Sequence, residues 1–88
     1  MDFNQRFERL LDEQDYDFAL ELLNFARHNE IEEDRYHCER LRLLQAMNDE
    51  DAFYNYYYDI ESSISSFDLA IQNRISQLVV DLAQSKAQ

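Results

Sequence analysis

Not one of the 88 residues is a glycine or a proline. An average chain of this length carries about six of the first and four of the second. Phosphate-cradling loops, dinucleotide fingerprints and glycine-bearing calcium loops are therefore excluded, because each needs backbone positions that glycine alone fills cheaply. Tight β-hairpin turns would have to rest on Asn or Asp alone. An apolar fraction of 45% argues for a folded chain in spite of 31% charged residues.

The apolar spacing is helical almost throughout. Phe3, Phe7, Leu10 and Leu11 form one stripe behind an N-cap at Asp2, with Gln5 three residues on. Asp15 caps a second helix whose broad apolar face holds Phe18, Ala19, Leu22, Leu23, Phe25 and Ala26, ending near His28-Asn29. A third helix begins near Asn29, with Glu32 in the reciprocal capping position. Its residues Tyr36, Cys38, Leu41, Leu43, Leu44 and Met47 point around most of the circumference, so it is expected to be central. Asn48 caps a fourth helix that buries Phe53, Tyr56, Tyr57, Ile60, Ile64 and Phe67.

At Ser62–Ser66 two readings stand. Either Ser65 and Asp68 cap a fifth helix, or the fourth runs on to about Ala83. In the last segment Ile71, Ile75, Leu78 and Leu82 have heptad-like spacing, and either cover the core of their own domain or form a homodimer seam. The expected fold is all-α: a single domain over 1–88, a small bundle of four or five helices in two antiparallel hairpins plus a closing C-terminal helix.

The formal charge of −11 is unevenly placed. Residues 1–61 hold 17 acids against six arginines, whereas 62–88 are neutral, with Asp68 and Asp81 against Arg74 and Lys86. No basic residue occurs between Arg42 and Arg74. Such a balance disfavours direct contact with nucleic acid and with anionic membranes, and suits a basic protein partner. No apolar run reaches the ~18 residues of a membrane span. The single Cys38 forms no internal disulfide, and a reducing, cytoplasmic setting is expected.

Sliding the sequence on itself by 33 places Arg9-Leu10-Leu11 on Arg42-Leu43-Leu44 and Ala19 on Ala52. Phe3, Leu10 and Leu23, then Tyr36, Leu43 and Tyr56, fall at large-residue positions of a 34-residue helical pattern. Over residues 3–60 this resembles the tetratricopeptide repeat. Phe7 and Arg40 stand where that family has a small residue, and its terminal proline is missing. The resemblance implies protein or peptide binding in a groove, with the C-terminal helix as a cap.

Chemistry-bearing patterns are sparse. His28, His37 and Cys38 lack zinc-ligand spacing, and no Glu-x-x-His pair of the di-iron type occurs. Asp12–Asp17 lacks the glycine and distal glutamate of a calcium loop and reads as a helix junction. No catalytic residue, cofactor or metal ligand is assigned. The most distinctive window is Asp51–Asp59, with five aromatics in six positions. Steps of 100° scatter such a run, so Tyr54 and Tyr58 are expected to be at least partly exposed beside Glu61. The candidate partner-binding residues are Asp49, Glu50, Asp51, Tyr54, Tyr58, Asp59 and Glu61.

Three functions follow. The first is a non-enzymatic inhibitor or decoy docking on a basic, nucleic-acid-binding protein surface. Small phage and mobile-element proteins that block nucleases offer the analogy. Eleven charges correspond to about 19 Å of duplex. The second is a tetratricopeptide-like adaptor or chaperone gripping a peptide helix. The third is a helical antitoxin or assembly subunit dimerising through Ile71, Ile75, Leu78 and Leu82.

Overall fold

A computed structural model describes residues 2–86, the side chain of residue 86 excepted. The chain forms five helices: α1 (Phe3–Asp12), α2 (Tyr16–Asn29), α3 (Glu33–Ala46), α4 (Glu50–Ile64) and α5 (Leu69–Lys86). Among the described residues there is no strand. The fold is an all-α small bundle, 35 × 30 × 19 Å in extent.

The junctions show how a chain without glycine turns. After α1, Gln14 takes a left-handed backbone (φ 60°), and after α3, Asn48 does the same (φ 58°). At the first site the Gln14 N–H reaches the Leu11 carbonyl and the Asp15 N–H reaches Leu10. At the second, Asn48 reaches Gln45 and Asp49 reaches Leu44. Both are Schellman closures, with Gln or Asn where glycine is usual. Asn48 is thus the stop of α3 and not the cap of α4. Asp49 is that cap, its side chain accepting from the Ala52 N–H at 3.2 Å.

This turn recurs at a spacing of 34, one residue off the sequence register of 33. Ala19 is thereby matched with buried Phe53, and Ala52 is only half-buried. Two more boundaries differ from expectation. Asn29 closes α2, its side-chain amide donating to the Phe25 carbonyl, and α3 begins only after Glu32. Between α4 and α5 the helix breaks, and Asp68 rather than Ser65 caps α5, accepting from the Ala70 N–H.

α3 lies in the middle, packed against α2, α4 and α5. Tyr36 and Leu43 join one core with Phe3, Phe7, Ala19, Leu22, Leu23 and Ala26. Cys38 and Leu41 join a second with Phe53, Ile60, Ile71, Ile75 and Leu82. The heptad-spaced residues of α5 therefore cover their own core: Ile71, Ile75 and Leu82 are buried, and Leu78 is half-buried against them. A dimer seam built from these side chains would have to draw them out of it.

Hydrogen bonds and ion pairs link α1 to α3 and α3 to α5 at nearly constant offsets. Arg35 meets Asn4 and Arg42 meets Glu8. Likewise the Asp68 N–H meets Asp34, Arg74 meets Glu39, and Gln45 meets the Leu78 carbonyl. The three odd-numbered helices therefore run parallel, side by side. Glu39 is the buried charge of this layer, 1% exposed, with Arg74 at 2.8 Å and Arg42 at 3.4 Å.

Two consequences can be measured in urea. Replacing Arg42 and Arg74 together by Met strands the Glu39 carboxylate and is expected to cost ~3–5 kcal/mol. Converting Glu39 to Met as well should recover most of that loss. Gln14→Gly should stabilise by about 0.5–1 kcal/mol by relieving the left-handed strain, and Asn48→Gly by less, because Asn tolerates that region.

Candidate functional site

α4 presents the acidic and aromatic window. On a helix, residues 51, 54, 58 and 61 lie along one stripe. Asp51, Tyr54, Tyr58 and Glu61 therefore share a face opposite the buried Phe53 and Ile60. The Tyr54 and Tyr58 rings are stacked with centroids 6.3 Å apart, and Tyr58 is 65% exposed. Tyr54 is half-buried, its ring edge-on to Phe53 at 5.6 Å. Asp59 is exposed about 100° round the helix from Tyr58. Asp49 lies at the end as the helix cap, and Glu50 is half-buried beside it. Four of the seven candidates thus share one stripe, Asp59 stands on a different side of the helix, and Asp49 and Glu50 belong to the helix start.

The carboxylates of Asp51, Asp59 and Glu61 form no ion pair among the described residues. Six of the seven arginines are engaged elsewhere. Arg9 pairs with Glu13, Arg27 with Glu33, and Arg42 and Arg74 with Glu39. Arg40 donates to the Tyr36 hydroxyl and Arg35 to Asn4.

α4 is registered on α3 through His37. Its ring is half-buried, stacked on Phe67 at 5.9 Å, with Nδ1 2.6 Å from the Tyr56 hydroxyl. Burial pushes the Tyr56 hydroxyl up to about 12, so it keeps its proton and donates to Nδ1. The Nε2 proton then faces the Glu33 carboxylate at 3.7 Å. Burial holds His37 below its ordinary 6.5, outweighing the opposite pull of Glu33. The Cys38 thiol, fully buried, is pushed up to about 11 and stays protonated.

Sequence reasoning missed a second surface. Phe18 and Phe25, expected in the core, are 60% and 61% exposed. Ala19, Leu22, Leu23 and Ala26 already make a complete buried stripe, and the two phenylalanines stand one step off it. That one-step offset was the available signal. With Arg6, Leu10, Glu21 and Leu22 they line an open groove of about 650 Å³ between α1 and α2.

No three metal-ligating side chains gather among the described residues. None of the described helices is long and apolar enough to cross a membrane. Against known proteins, no family model matches the chain, and no curated protein or solved structure does so.

The His37 geometry sets a pH dependence. Native His37 is held neutral while the unfolded chain protonates near 6.5, so folding stability should fall as pH drops below about 6.5 and level off below the lowered native value. Glu33, held low by Arg27, adds to the loss at still more acid pH. Thermal melts of the protein and of His37→Gln between pH 7.5 and 5, in about half-unit steps, should show a shallower fall for the variant.

Proposed function

We propose that this chain is a non-enzymatic, acidic protein-binding module of the cytoplasm. Its α4 face docks on a basic, nucleic-acid-binding surface of a protein partner and blocks it. The observation that carries this reading is the stripe of unpaired carboxylates around exposed Tyr58, in a chain whose arginines are almost all engaged by its own side chains. Solvated carboxylates with no internal partner steer a basic surface into contact at little cost to the free protein.

Tyr58 and Tyr54 supply what charge does not. A tyrosine buries a large area with few rotatable bonds and keeps a hydroxyl for a polar rim, which is why it recurs as an interface anchor. The net charge of −11 surrounds the stripe with a field that favours basic partners and repels nucleic acid itself. Inhibition then follows from occupancy, since a basic surface covered by carboxylates is closed to phosphates.

The test is capture of basic proteins on the immobilised chain, with affinities measured from about 0.05 M to about 0.5 M salt. Binding should weaken steeply across that range. The triple variant Asp51→Lys, Asp59→Lys, Glu61→Lys should lose at least about tenfold in affinity with an unchanged melting temperature. Salt-independent binding, or full binding by the triple variant, overturns the reading.

A further inference from the structure

The α1–α2 groove differs from the other exposed apolar positions. Met47, Leu69 and Val80 stand apart from one another in sequence and helix, whereas Phe18 and Phe25 lie two turns apart on one side of α2, about 10 Å from each other. Leu10 and Leu22 sit between the two helices, giving the groove an apolar floor. Its charges are unusual for this molecule. Among the described residues Arg6 is the one arginine whose side chain makes no hydrogen bond or ion pair. Glu21, midway between the phenylalanines, makes none either. Both line the groove.

We propose that this groove is an interface filled by α2 of a second copy of the chain, so that two α1–α2 hairpins close a four-helix bundle about a two-fold axis. The geometry points to the occupant. A two-fold axis passing between Glu21 and Leu22 sets the two α2 helices antiparallel. Phe18 of each copy then meets Phe25 of the other. The hairpin turns at residues 13–15, so α1 runs back along α2 with Arg6 level with Leu22. The axis carries the level of Leu22 onto Glu21 of the second copy. The unpaired Arg6 of each chain therefore faces the unpaired Glu21 of the other, twice per dimer. One operation thus covers four exposed phenylalanines and pairs the unpartnered arginine. Isologous two-fold dimers are the commonest assemblies, and antiparallel four-helix packing is a favoured geometry for such faces.

The α4 stripe takes no part in this contact, so a dimer would carry two docking faces.

Sedimentation equilibrium of the full chain tests the proposal, in about 0.3 M salt to screen the mutual repulsion of two acidic copies. The mass is expected to rise toward twice the 10.7 kDa of one chain as concentration increases. Phe25→Glu, at a position exposed in the single chain, should weaken dimerisation at least about tenfold without lowering helix content. Arg6→Glu and Glu21→Arg should each weaken it, and the double exchange should restore it. A single-chain mass up to about 1 mM overturns the proposal and leaves the groove to a different occupant, such as an amphipathic helix of another protein. A dimer indifferent to Phe25→Glu, or a double exchange that restores nothing, overturns it equally.

Discussion

A carboxylate buried between two arginines sets the register of this molecule. Glu39 meets Arg42 on its own helix and Arg74 on α5, and Arg42 reaches on to Glu8 of α1. Antiparallel neighbours such as α1 and α2 are aligned by the short turn that joins them. Parallel neighbours have no such turn, and α1, α3 and α5 are each separated by a whole returning helix. Their alignment falls to side chains. A register shift of α5 would withdraw one cation from a carboxylate that water does not reach, at a penalty of several kcal/mol. The same carboxylate packed correctly adds little net stability. It discriminates between alignments more than it strengthens the chosen one.

That network also shapes the surface. A strongly acidic chain with few cations must place them, and this one places most of its arginines where they bind its own groups. Arg27 holds Glu33 and lies over the Tyr36 ring, Arg35 lies over Phe3, and Arg40 lies over Tyr56. On α4 these contacts reach only Tyr56, on the side that meets α3, and none reaches its outer stripe. Its outer stripe of Asp51, Tyr54, Tyr58 and Glu61 is acidic because the positive charge went into joining α1, α3 and α5. The acidity of that stripe is thus a by-product of how the interior is aligned.

Much of the architecture was legible from residue types and their spacing. Asp2 sits as N-cap with its side chain on the Gln5 N–H, as read. The two-sided apolar pattern of α3 correctly marked it as the helix between two cores. Tyr58 is exposed and Tyr54 half-buried, both within the partial exposure expected of them. Errors arose where one residue type serves two backbone purposes. Asn29 and Asn48 have the chemistry of helix starts, yet each ends a helix, because Asn also closes carbonyls with its amide and tolerates a left-handed backbone. The choice between start and stop depends on neighbouring hydrogen bonds that no local pattern contains.

Residue types and their spacing already show that this chain is helical, how many helices it has to within one, and where its negative charge is concentrated. Those properties follow from local terms: apolar period, cap chemistry, and the absence of glycine and proline. Tertiary structure decided which of the many apolar residues of α2 are buried and which cations remain free. Phe18 and Phe25 read as core because α2 carries more apolar residues than one contact face holds, and only the position of α3 selects among them. The burial of Glu39 has no signature in spacing, and only two arginines, one of them 35 residues away, make it tolerable. Burial and pairing depend on what arrives from distant parts of the chain, so a reading of spacing alone stops at the helix and cannot reach its neighbours.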